Sequence, residues 1–175
     1  MASFNDKAMK YKASLGITSA LITAMITLCF GCLIAFLIYR MRVTTETFEL
    51  ILAVVAIMFI LGIYLLSYLY SPRQYIVDRD HIIIRRTIKD VKIPVNEIED
   101  AFLIKRESMG WTERVGSSGG VFGYYGKFKN AFGLMTWYAT KRTNYIMIET
   151  VHKDKIILTP DDTEMVKEIR RLIGK

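Results

Sequence analysis

Cysteine and histidine are scarce in this chain of 175 residues, with two of each. Cys29 and Cys32 sit together in one apolar run, while His81 and His152 lie far from them in sequence. With no second cysteine pair, a tetrahedral zinc site cannot be completed within the chain. A C-x-x-C pair inside such a run reads as two small, buried apolar side chains rather than a redox centre. The remainder holds no cysteine, so a disulfide framework is excluded and a reducing compartment fits.

Charge is absent from two long stretches, residues 13–39 (27 residues) and 50–71 (22 residues). All 41 charged side chains fall in the other 126 residues, making that remainder about a third charged. As helices rising ~1.5 Å per residue, the runs would measure roughly 40 and 33 Å. A hydrocarbon core of ~30 Å takes about 20 apolar residues, so both are expected to span a membrane. A cleaved signal peptide competes for the first run, since Lys7, Lys10 and Lys12 precede it. Its apolar region should be about 7–15 residues long and end at a small-x-small site, which this run does not offer cleanly. Neither span contains an acid or a base, which argues against an ion or proton path.

The connector, residues 40–49, carries Arg40, Arg42, Glu46 and Glu49 and is short enough to make the spans an antiparallel hairpin. Three basic residues before the first span and Arg73, Arg79, Arg85 and Arg86 after the second outnumber the connector's two. That bias places both termini and the following domain in the cytoplasm, in a bacterial case at the inner membrane. Gly16, Ala20, Ala24, Thr27, Gly31 and Ala35 recur at helical spacing in the first span. Such a stripe lets backbones approach closely, either against the second span or in self-association.

The expected division is a helical hairpin over 1–72 and a domain over 73–175. Beta-rich runs occur at 74–77, 81–86, 91–95, 98–105, 134–139, 145–150 and 155–159. Thr159, Pro160, Asp161 and Asp162 read as a helix start, with Thr159 as cap. Met165, Val166, Ile169, Leu172 and Ile173 come next as an amphipathic stripe.

Several motifs can be weighed for chemistry. Gly116-Ser117-Ser118-Gly119-Gly120 matches G-x-S-x-G formally, but the residues after it are glycine and aromatic rather than helical in pattern. No G-K-[ST] accompanies the glycines, so a P-loop is excluded. Residues 116–126 read as a long connection, kinked by glycine and anchored by Phe122, Tyr124, Tyr125 and Phe128. With Met109, Trp111 and Trp137, these aromatics either fill the sheet interior or form a membrane-interface or partner-binding surface. Basic residues give the other hint. From 72 onward, 19 Lys and Arg face 14 Asp and Glu, a net of +5. Arg73, Arg79, Arg85, Arg86, Lys127, Lys129 and the turn residues Lys141 and Arg142 are candidate headgroup or partner contacts. Charge interleaved with Asp78, Asp80 and Asp90 does not suit nucleic acid.

The order of these pieces resembles the bacterial pleckstrin-homology (PH-like) domains that follow one or two membrane spans. The matching residues are Tyr75-Ile76-Val77, Ile82-Ile83-Ile84-Arg85-Arg86, Ile93-Pro94-Val95 with Ile98, the glycine-aromatic segment 119–126, and 158–162 opening the last helix. The resemblance implies an α+β fold: a bent antiparallel sheet of about seven strands capped by a C-terminal helix. It implies no activity, since such scaffolds serve lipid binding, protein docking and assembly alike. The expectation is a non-enzymatic, membrane-anchored module without cofactor or metal. Its partners would be membrane lipids and a protein or a second copy of itself. A homo-oligomeric scaffold, a membrane enzyme and a transport accessory are the alternatives.

Overall fold

The computed structural model describes residues 8–175, so Lys7 lies outside the described residues. A short strand β1 (Met9–Lys12) comes first, followed by two helices, α1 (Ile17–Val43) and α2 (Thr47–Tyr70). Both are long and apolar enough to cross a membrane. They begin and end elsewhere than the charge pattern suggests. Arg40 and Arg42 belong to the last turn of α1, where cations meet the helix's negative end. The link is therefore only residues 44–46, and Arg40 pairs across it with Glu49 at 2.8 Å.

After α2 the chain enters β2 (Gln74–Val77), β3 (His81–Arg85) and β4 (Val91–Pro94), and a 3-10 turn (Val95–Glu97) leads into β5 (Ile98–Ile104). The short helix α3 (Arg106–Met109) precedes β6 (Glu113–Gly119), β7 (Tyr124–Asn130) and β8 (Gly133–Ala139). Strands β9 (Tyr145–Thr150) and β10 (Lys155–Leu158) and helix α4 (Met165–Leu172) complete it. One sheet runs β1-β2-β3-β4; the other runs β5-β9-β10-β8-β7-β6. All neighbours are antiparallel except β8 and β10.

All seven expected strands are present, and three more join them. Strand β1 pairs with β2, Lys12 opposite Gln74 and Met9 opposite Val77. The basic flank is thus part of the domain's sheet, and the boundary expected at 72/73 does not isolate a helical unit from a sheet unit. Residues 116–126 are not a structureless connection but most of a hairpin, β6–β7, with its turn at 120–123. Glycine dilutes the period of two there, which is why alternation alone does not reveal it. Lys141 and Arg142 do not occupy a hairpin turn, because β10 lies between β8 and β9.

The alternation of β9 and β10 splits the interior in two. Ile146, Ile148 and Leu158 face a core shared with Tyr75, Ile82 and Ile84 of the first sheet and with Met165 and Ile169 of α4. On the opposite face, Met147 and Ile157 join Phe128, Met135, Trp137 and Tyr145 beneath Met109. Helix α4 starts later than the sequence suggests. The Thr159 hydroxyl accepts the Thr140 N–H at 2.9 Å, and the Thr159 amide donates to the Tyr75 hydroxyl at 3.3 Å. Thr159 thus binds Thr140, just past β8, and lies six residues ahead of the first residue of α4, out of reach of its first turn. The stripe itself packs as expected, with Val166, Leu172 and Ile173 part-buried against the core.

Candidate functional site

The helices and the sheets meet at a junction built largely from residues that look unremarkable in sequence. Ser19 and Thr23 are the buried residues of α1, and with Thr27 they repeat every fourth residue on one helix face. That face meets the tip of the β6–β7 hairpin. The Phe122 amide donates to Thr23 Oγ1 at 2.9 Å, and the Ser71 hydroxyl donates to the Phe122 carbonyl. The Phe122 ring stands edge-on to Tyr64 (centroids 5.1 Å) and Tyr68 (5.3 Å) of α2. The Tyr125 hydroxyl donates to the Ser67 carbonyl at 2.7 Å, and Thr27 and Tyr64 bond through their hydroxyls at 2.7 Å.

The turn itself is strained. Phe122 has φ +55°, a left-handed conformation uncommon outside glycine. Glycine is required on either side of it. At Gly120 a Cβ would come within 2.8 Å of Ile22, and at Gly123 within 2.7 Å of the Ala139 carbonyl. A second seam joins Gly16, whose amide donates to Thr140 O at 3.0 Å, and any Cβ there would strike Lys141. Asp161 closes it, accepting from the Ser14 hydroxyl and amide and from Lys141 Nζ at 2.5 Å. Burial alone would raise the Asp161 pKa, but these bonds and the Lys141 charge outweigh it and hold the carboxyl below its usual range.

The predicted site residues separate into groups. Arg73 lies over the Tyr68 ring (4.6 Å to its centroid) and Arg86 over Tyr70 (5.5 Å), both at the foot of α2. A groove of about 370 Å³ opens beside them, bounded by Leu15, Tyr68, Arg73 and Phe122. Arg85 pairs with Asp90 at 3.5 Å, and Lys141 is engaged by Asp161. Arg142 turns instead onto the Tyr124 ring at 4.7 Å. Lys127 and Lys129 are both exposed on β7, and Arg79 stands in the β2–β3 turn at the opposite end of β2 from the helices. The eight basic side chains therefore form no single patch.

The four loop aromatics also divide. Tyr124 and Phe128 are buried under the second core, whereas Phe122 and Tyr125 reach the helices. The small-residue stripe is not where α2 packs. Ala20, Ala24, Gly31 and Ala35 are exposed, on a face roughly 100° round the helix from Ser19, Thr23 and Ile26, and only Thr27 at its border reaches α2. Cys29 and Cys32 are likewise free and exposed on α1 rather than buried. Ser118 lies within a strand, not at a strand-to-helix elbow, and His152 is exposed in the β9–β10 turn. Among the described residues no three His, Cys, Asp or Glu side chains converge as metal ligands.

The hydroxyl face Ser19-Thr23-Thr27 and its partners Tyr64, Ser67 and Ser71 escape a reading of the sequence. The spacing of four is visible there, but it runs beside the small-residue stripe and is masked by it. A family model described as a bacterial PH domain matches residues 73–172, beginning just past α2 and leaving out β1. No curated protein and no solved structure matches the chain.

Proposed function

Because the chain belongs to the bacterial PH domain family, we propose that it is a non-enzymatic module anchored in a membrane by α1 and α2. It would hold a headgroup-binding surface against one leaflet, within a larger membrane assembly. The observation that carries this reading is the foot of α2, where Arg73 and Arg86 stack on Tyr68 and Tyr70. Neither guanidinium forms an ion pair with a carboxylate among the described residues, although Arg86 Nε donates to the Lys89 carbonyl at 2.8 Å and the Arg86 amide to Asp90 at 3.2 Å. Tyrosine at a helix end marks an interfacial depth, and each basic group near an anionic leaflet contributes ~1 kcal/mol.

The anchor is supported by the outer surfaces of both helices, where leucine, isoleucine, methionine and phenylalanine are exposed with nothing among the described residues to cover them. The basic flank and the sheet domain on one side support a cytoplasmic orientation at the bacterial inner membrane. The Phe122 clamp gives the anchor its point: a domain locked to its helices presents its surface at a fixed angle to the bilayer.

The test is the lipid that accompanies the full chain through purification in mild detergent. Anionic lipid enriched over its share of the source membrane is expected, with the enrichment lost in an Arg73→Gln, Arg86→Gln variant. Composition equal to the bulk membrane would sink the headgroup reading and leave protein docking, sought by crosslinking in the membrane. A second reading, self-association, is favoured by the exposed position of Ala20, Ala24, Gly31 and Ala35 away from α2. Sizing in detergent decides it, since a single-chain mass excludes it.

A further inference from the structure

A cleft of about 580 Å³ opens on the face of the six-stranded sheet that carries the second core, under the segment linking β5 to β6. Its floor is aromatic. Phe128 and Trp137 pack at 4.6 Å between centroids, and Trp137 and Tyr145 at 5.3 Å. Its rim carries three guanidinium groups, Arg106, Arg114 and Arg142, against two carboxylates, Glu107 and Glu113. None of these arginines forms an ion pair among the described residues.

Two observations inside the cleft point to a ligand. Trp137 is only 3% exposed, yet its indole N–H has no hydrogen-bond partner. A buried donor left unmade costs about 1–3 kcal/mol, so such a group calls for an acceptor from outside the chain. Trp111 does the opposite. It is 85% exposed at the rim, an apolar plane with nothing stacked on it. Burial pushes the Tyr145 hydroxyl up to about 12, while the charges of Arg142 and Arg106 pull the other way. Two arginines from different connections thus converge on the same end of the floor.

We propose that this cleft binds a small organic anion with a flat apolar body, an aryl carboxylate or aryl phosphate. The acid group would lie among the guanidiniums and, once the side chains closing over Trp137 part, accept its N–H, and the ring would stack between the floor and Trp111. The volume lies in the range of metabolite sites and far exceeds what an inorganic anion needs. Guanidinium pairs with planar oxyanions in a bidentate manner, which suits either acid group. The residues involved are not those of the α2 foot, so the two proposals fail separately.

The chain's only two tryptophans both line this cleft, which makes intrinsic fluorescence its reporter. The full chain is placed in nanodiscs of neutral lipid and titrated with phenyl phosphate, inorganic phosphate and benzyl alcohol. A saturable change with phenyl phosphate is expected, at least tenfold tighter than with inorganic phosphate or with the neutral aryl alcohol. An Arg106→Gln, Arg114→Gln variant, both at the rim and outside the core, should weaken it at least tenfold. Trp137→Phe removes the N–H but keeps a ring, and read through Trp111 it should also bind more weakly. Thermal melts confirm that each variant is folded. No saturable response, equal affinity for inorganic phosphate, or unaltered binding in the arginine variant overturns the proposal. So does a response seen only on changing to anionic nanodiscs, which would assign the cleft to a lipid headgroup.

Discussion

The backbone amide of Phe122 donates to the Thr23 hydroxyl at 2.9 Å, across 99 residues of chain. One partner is the tip of a β-hairpin and the other is inside an apolar helix, so this bond ties the two halves of the protein. Thr23 Oγ1 also donates to the Ser19 carbonyl at 2.7 Å, which fixes its lone pairs toward the incoming amide.

Truncation of Phe122 to Ala should therefore uncouple the halves. The variant loses two edge-on aromatic contacts and most of the ring's burial, together about 2–4 kcal/mol. Hydrogen exchange should rise at residues 119–126 while β9 and β10 stay protected. Thr23→Val should produce a weaker form of the same pattern. Uniform exchange across the domain in both variants would count against the clamp.

Three glycines should respond in opposite directions. Gly123→Ala sets a Cβ against the Ala139 carbonyl at φ +129° and should cost more than about 1 kcal/mol. Gly120→Ala should behave alike through Ile22. Gly31 has open space about its Cα, so Gly31→Ala should gain roughly 0.5–1 kcal/mol of helix stability in the monomer. Gly31→Leu should stabilise the monomer's helix to a similar degree and abolish any oligomer that uses this face.

Acid should weaken the seam at Asp161. Its folded pKa lies below the unfolded value of about 4. The stabilisation is therefore complete above pH about 4 and is lost as pH falls through the folded pKa. With Asp161 about a third exposed, the contribution is about 1 kcal/mol. Melting temperature against pH should show an acid limb that Asp161→Asn flattens.

Alkali should act through Tyr75, whose hydroxyl donates to the Tyr138 carbonyl at 2.5 Å from within the core. Burial, the largest cause, pushes its pKa up to about 12, and Tyr145 is raised likewise. The unfolded chain releases these protons near pH 10. Stability should hold below about pH 10 and fall between about 10 and 12, with a shallower fall in Tyr75→Phe. Absorbance titration in the near ultraviolet should show both tyrosines ionising late.

Much of the architecture is legible in the sequence because two physical signals are unambiguous. Runs of uncharged residues at bilayer length define α1 and α2, and alternation such as Tyr145 to Glu149 defines the strands that separate the two cores. Where one residue type serves two ends, reading fails. Lys10 and Lys12 look like topology signals, yet they also alternate with Met9 and Tyr11 along β1. Thr159 has a cap's sequence, yet its hydroxyl binds Thr140 just past a neighbouring strand. Gly123 and Gly126 weaken the period of β7 because the turn and the close approach of Ser117 demand them. The cleft is invisible in sequence for another reason: Arg106, Trp137 and Arg142 meet only through strand order, which no local pattern encodes.

Strands β1 and β2 are neighbours in one sheet, and everything between them in the chain is the helical pair. A ribosome delivers Met9–Lys12 first and its partner Gln74–Val77 only after both helices have been made. If a translocon threaded α1 or α2 the wrong way, β1 would be stranded across the bilayer from β2. The sheet would then keep an open edge at β2, a site for aggregation or proteolysis. On the proposed membrane anchoring, this sheet would close only in chains whose helical pair has both ends on one side.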